Sequence, residues 1–176
     1  MSAVFLRKTT SLVRAFPAMT VVVLFFAFCL CSQTAFAGAQ KGGPVVIRTV
    51  HGDFDTVWDN LKTALINRGL VVSGVSHVQR MLDRTGKALG RTKKIFLRAK
   101  VLEFCSAVVS RDMMEKNPHF IAFCPYKIAV YTLPADEHTV YISYERPVWN
   151  DNSGKAKLEE VNRMLKGIVN EVAKQE

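Results

Sequence analysis

Phe123-Cys124-Pro125-Tyr126-Lys127-Ile128-Ala129-Val130-Tyr131-Thr132-Leu133 and Thr139-Val140-Tyr141-Ile142-Ser143-Tyr144-Glu145-Arg146 are two runs rich in β-branched and aromatic residues, separated only by Pro134-Ala135-Asp136-Glu137-His138. Parallel strands need a crossover of a dozen or more residues, so this short connection predicts an antiparallel hairpin. Upstream, Ile95, Leu97, Ala99 and Val101 alternate with Phe96, Arg98, Lys100 and Leu102. That period of two predicts a third strand running towards Phe104-Cys105. Val45 to Val50 and Leu70 to His77 supply two more by their β-branched content.

Helices fill the gaps between these strands. Phe54, Val57, Trp58, Leu61, Ala64 and Leu65 fall on one helical stripe. Asp53 is placed to cap its start by accepting from the Thr56 amide, and Arg68-Gly69 to close its end. Leu158, Val161, Leu165, Ile168 and Val172 mark a last amphipathic helix, widened by Met164 and Val169 and preceded by the polar loop Asn150-Asp151-Asn152-Ser153-Gly154. Gln79 to Lys94 reads as a short helix and a basic loop, and Val108 to Lys116 as a brief helix stopped by Asn117-Pro118. The fold class expected is α+β: a two-layer sandwich with one mostly antiparallel sheet of about five strands, covered on one face by two long helices.

The N-terminus has a different character. Ala15 to Gln40 lacks any charge, Arg7, Lys8 and Arg14 precede its apolar run, and Ala35-Phe36-Ala37 offers small residues at alternate positions. This is the layout of a secretory signal, with cleavage expected after Ala37 and a periplasmic destination for the product. An uncleaved anchor is the competing reading, and membrane association is expected only in that case. Neither a lipid-bearing cysteine nor a twin-arginine signal is supported, because Phe28 and Leu30 precede Cys29 and Cys31 and no Arg pair is present. The organisation is thus a signal peptide over 1–37, a Gly-rich lead-in over 38–44 and one domain over 45–176.

Of the 176 residues, 24 are Lys or Arg and 15 are Asp or Glu, and all the acids lie beyond the signal segment. Disordered, collagen-like and polytopic membrane classes are excluded by a composition that is 49% hydrophobic and 22% charged. The basic stretch Arg80 to Lys100 reads as a solvated face, and no nucleic-acid partner is expected of an exported protein.

Five pieces in order carry a family resemblance: His51-Gly52-Asp53-Phe54-Asp55 with Arg68-Gly69-Leu70; Asn117-Pro118; Cys124-Pro125-Tyr126-Lys127-Ile128-Ala129-Val130-Tyr131; Val140-Tyr141-Ile142-Ser143-Tyr144; and Arg146-Pro147. Together they resemble the domain-of-unknown-function 302 family over nearly all of the mature chain. The resemblance implies a small two-layer α/β domain that forms a homodimer, and it brings no reaction, cofactor or catalytic residue. Many members have Leu-Pro where this chain has Cys124-Pro125.

Cys105 and Cys124 are the only thiols beyond the signal segment. In an oxidising compartment they are disulfide candidates, closing a loop of about 20 residues for roughly 3 kcal/mol. They read equally as two small core hydrophobes, each following a phenylalanine. A third reading makes Cys105, Cys124, His119 and Met113, with Met114 nearby, ligands for copper, zinc or haem. No C-x-x-C, C-x-x-C-H, G-x-S-x-G or H-E-x-x-H occurs, and His51 and His77 have no evident nucleophile partner beyond Asp53 and Ser76 as neighbours to consider. The function expected is therefore that of an exported periplasmic binding or accessory module without catalysis or cofactor, with an unknown periplasmic partner or ligand. Metal or haem binding and thiol–disulfide chemistry stand as the alternatives.

Overall fold

The structure, a computed structural model, describes residues 43–175. The signal segment and the lead-in up to Gly42 lie outside the described residues. The chain runs β1 (Val45–His51), α1 (Phe54–Ile66), β2 (Val71–Ser76), α2 (Val78–Ala88), β3 (Arg98–Cys105), α3 (Ala107–Lys116), a 3-10 turn (Pro118–Phe123), β4 (Tyr126–Leu133), β5 (Asp136–Glu145) and α4 (Lys155–Val172). The five strands form one sheet in the order β1-β5-β4-β3-β2, antiparallel at every junction. It is the α+β sandwich expected from the sequence.

Alternation puts one face of the sheet under the two long helices. Along β4, Tyr126, Ile128, Val130 and Thr132 are buried. Their partners across the ladders, Phe104 and Leu102 on β3 and Tyr144, Ile142 and Val140 on β5, are buried on the same side. Every expected apolar position of α1 is buried, as are Leu158, Val161, Leu165, Ile168, Val169 and Val172 on α4, all in one core. Each fully buried side chain of this kind contributes roughly 1.5–3 kcal/mol.

Local chemistry fixes the helix ends. Asp53 Oδ1 accepts from the Asp55 and Thr56 amides, each at 2.9 Å. The Thr56 hydrogen bond is the largest influence holding the Asp53 carboxyl below its ordinary value. At the other end Arg68 donates to the Ala64 carbonyl at 2.8 Å and pairs with Glu171 of α4, which ties the two long helices together. Lys157 joins α4 to α3 through Asp112 at 2.8 Å. Among the described residues no helix is long and apolar enough to cross a membrane.

Strand ends differ from expectation. The third strand begins at Arg98, not Ile95, and only the Leu97 amide reaches back to Thr132, at 3.0 Å. Phe123 and Cys124 lie before β4, because Asn117 accepts from the His119 amide and starts a 3-10 turn with Pro118 at its first position. The hairpin is tighter than the sequence implied: Leu133 pairs with Asp136, leaving Pro134 and Ala135 as the turn.

Gly154 precedes α4 with φ +71°, and a Cβ there would fall 2.3 Å from the Phe120 ring, which is fully buried. Gly167, inside α4, has open space where a Cβ would go. The two glycines are therefore expected to respond oppositely to alanine. Gly154→Ala is expected to cost about 1–3 kcal/mol through backbone strain and overlap, and Gly167→Ala to add up to about 1 kcal/mol. Urea unfolding of the two variants checks both signs.

Candidate functional site

The antiparallel register of β3 and β4 ends with Phe104 opposite Tyr126. Cys105 closes β3 and Cys124 lies two residues before Tyr126, so the ladder brings two thiols 19 positions apart to the same end of the sheet. Their sulfurs are 3.2 Å apart, and both residues are half-buried. The Cys124–Pro125 peptide is cis. Ser106 follows Cys105 and caps α3, its hydroxyl accepting from the Val109 amide at 3.3 Å. One turn further on, the buried Ser110 hydroxyl lies 3.8 Å from the Cys124 sulfur and donates to the Tyr126 hydroxyl at 3.3 Å.

The other proposed ligands lie on the loop between the two thiols. Met113 is fully buried in the core, with Met114 packed beside it, and His119 is exposed on the 3-10 turn. No group of three or more His, Cys, Asp or Glu side chains that could hold a metal is found among the described residues. His51 caps the far end of β1, where its Nδ1 lies 3.5 Å from the Thr139 hydroxyl, and His77 sits at the start of α2. Burial, then the charges of Arg80 and Lys100, hold the His77 imidazole below its ordinary value.

The basic stretch is less uniformly solvated than expected. Arg98 pairs with Asp55 and lies 4.3 Å from the centre of the Phe54 ring, while Lys100 lies 5.0 Å from that of Trp58. Both side chains therefore cover aromatic rings of α1. Ser110 and Tyr126 were not singled out by sequence reading as neighbours of the thiols. The available signal was the helix spacing that places Ser110 one turn from the Ser106 cap, on the side carrying Met113.

The family model for a domain of unknown function, DUF302, matches residues 46–172. The chain belongs to the DUF302 family. The crystal structure of an uncharacterized conserved DUF302 protein from Bacillus stearothermophilus is similar in fold, with a TM-score of 0.61 and 18% identity, covering 73% of this chain and 98% of that one. No curated protein matches the sequence.

In this DUF302 chain the two thiols are in contact, and the ionisation of Cys105 is suppressed. Burial pushes the Cys105 thiol up to about 11, and its hydrogen bond with Cys124 pushes the same way. At neutral pH only about one Cys105 in ten thousand is then a thiolate, too few for rapid nucleophilic exchange. Alkylation of the reduced protein with iodoacetamide, mapped by peptide mass, is expected to label Cys105 at a rate still climbing above about pH 9. A plateau near pH 8 would contradict this account.

Proposed function

We propose that this DUF302 protein is an exported, non-catalytic binding or accessory module, and that Cys105 and Cys124 close into a structural disulfide once the chain has left the cytoplasm. The observation that carries the reading is the 3.2 Å separation of the two sulfurs at the end of β3 and β4. A disulfide has its sulfurs at about 2.05 Å, so bridging asks for a shift of only about 1 Å. The high Cys105 value argues against the thiol–disulfide alternative in the form of a rapidly cycling redox centre.

The oxidant in this reading is a disulfide-bearing exchange protein of the export compartment. One thiol, deprotonated, attacks that disulfide and expels one of its sulfurs as thiolate. The second thiol, also deprotonated, then attacks the mixed disulfide and releases the other. Two protons and two electrons leave the pair, and the oxidant departs as a dithiol. The bridge is expected to stabilise the domain by about 3 kcal/mol through restriction of the unfolded chain.

A homodimer belongs to the same proposal. It is supported by two apolar sheet edges, Val45 and Ile47 on β1 and Val71 and Val75 on β2, all exposed.

Intact-mass measurement of protein purified from the extracytoplasmic fraction tests the proposal. The expected species begins at Gly38, takes up no alkylating agent when denatured, and gains two labels only after reduction. Two free thiols without reduction, or a retained Met1, would refute it. Native light scattering is expected to give twice the mass of one chain.

A further inference from the structure

A separate cleft lies between α4 and the β1–β5 edge of the sheet, lined by Val46, Arg48, Tyr144, Arg146, Lys166, Val169 and Asn170 and enclosing about 210 Å³. Three cations, a phenol and an amide converge on it, and no carboxylate lines it. None of Arg48, Arg146 and Lys166 has an ion-pair partner among the described residues. On α4, Lys157 is matched by both Asp112 and Glu160, and Glu171 by Arg68 from the end of α1.

Arg146 is the most constrained of the three. Its backbone amide donates to the Pro44 carbonyl and its Nη2 to the Gly43 carbonyl, both at 2.6 Å, so the side chain is anchored from below. Its Nε is buried and has no hydrogen-bond partner. Buried donors of a charged group are almost always matched, because leaving one unmatched forfeits its hydration without return. Tyr144 is itself buried, and the charges of Arg48 and Arg146 both act on its phenol, opposing the effect of burial.

We propose that this cleft binds a small dianionic oxyanion of the phosphate class. Guanidinium groups present paired N–H donors that fit oxyanions, Lys166 supplies a point charge, and the Tyr144 hydroxyl and Asn170 amide add neutral donors. The size sets the scale of the ligand. About 210 Å³ is below the roughly 300–1,000 Å³ of pockets that hold drug-sized molecules, yet ample for a phosphate with a short substituent against Val46 and Val169. A dianion offsets more of the three positive charges than a monocarboxylate does, and the walls leave no acid to repel it.

The test is thermal unfolding of the purified protein titrated with inorganic phosphate or glycerol phosphate, with sodium acetate and sodium chloride at matched ionic strength as controls. A saturable rise in Tm with either phosphate species, exceeding both controls, is expected; the stronger of the two identifies a free ion or an ester as the better ligand. In the double variant Arg48→Gln/Lys166→Gln the apparent affinity is expected to fall by at least about tenfold. Both side chains are exposed, and circular dichroism verifies that the variant is folded. Lys87→Gln/Lys93→Gln removes the same charge away from the cleft and is expected to leave affinity unchanged. Asn170→Asp, which places a carboxylate in the wall, is expected to weaken binding as the double variant does. No saturable effect beyond chloride, an equal effect with acetate, or equal losses in the two lysine-containing double variants would overturn the proposal.

Discussion

Covering one face of the β3–β4–β5 ladder with α1 and α4 is the constraint on which the rest of the molecule depends. Ile128, Val130, Leu102 and Ile142 are fully buried only because Val57, Leu61, Leu165 and Ile168 meet them from the helices. Period two on the strands and period 3.6 on the helices have to be in phase for this to happen. A shift of one residue in any strand would turn its apolar set away from the helices, so the register is held by the core itself.

That register has a chemical consequence at its end. Once Phe104 is opposite Tyr126, Cys105 and Cys124 have no freedom to be far apart. Their proximity is therefore a by-product of core packing and not of any local cysteine motif. The loop between them holds α3 and the 3-10 turn, whose Met113 and Phe120 anchor it in the core. A bridge at its base would restrain the unfolded chain where the sheet is also joined to α3, adding to contacts that already exist.

The order of elements, both long helix stripes, the Asp53 cap and the antiparallel hairpin were legible in the sequence because each is a local pattern. What escaped was set by partners distant in the chain. Ile95 and Phe96 have strand periodicity but lie ahead of the ladder, and Phe96 packs its ring edge-on to Tyr131 instead. Pro125 has no amide to donate, and Asn117 diverts Pro118–Phe123 into a turn, so β4 starts later than its β-rich composition implies. For the site, the sequence supplied Cys105 and Cys124 but left bridge, core and ligand readings level. The strand pairing adds what the sequence lacks: it brings the sulfurs together, while Met113 lies in the core and His119 at the surface. The cleft beside α4 was invisible for the same reason: Arg48, Arg146 and Lys166 are 98 and 20 positions apart and share no motif.

The two sites place opposite demands on charge, and the fold meets them at different places. At the thiols, burial and the neighbouring Cys124 sulfur disfavour the Cys105 thiolate, which slows its attack on other disulfides and electrophiles. At the cleft, unpaired cations gather where a partly open wall keeps them hydrated in the absence of a ligand, and only the Arg146 Nε is cut off from both water and protein. An anion entering there meets one arginine already anchored through the Gly43 and Pro44 carbonyls beside two cations free to adjust, so less ordering is left for binding to cost. That asymmetry, more than the number of positive charges, distinguishes the cleft from the basic surface around α2, where the cations remain free to be solvated individually.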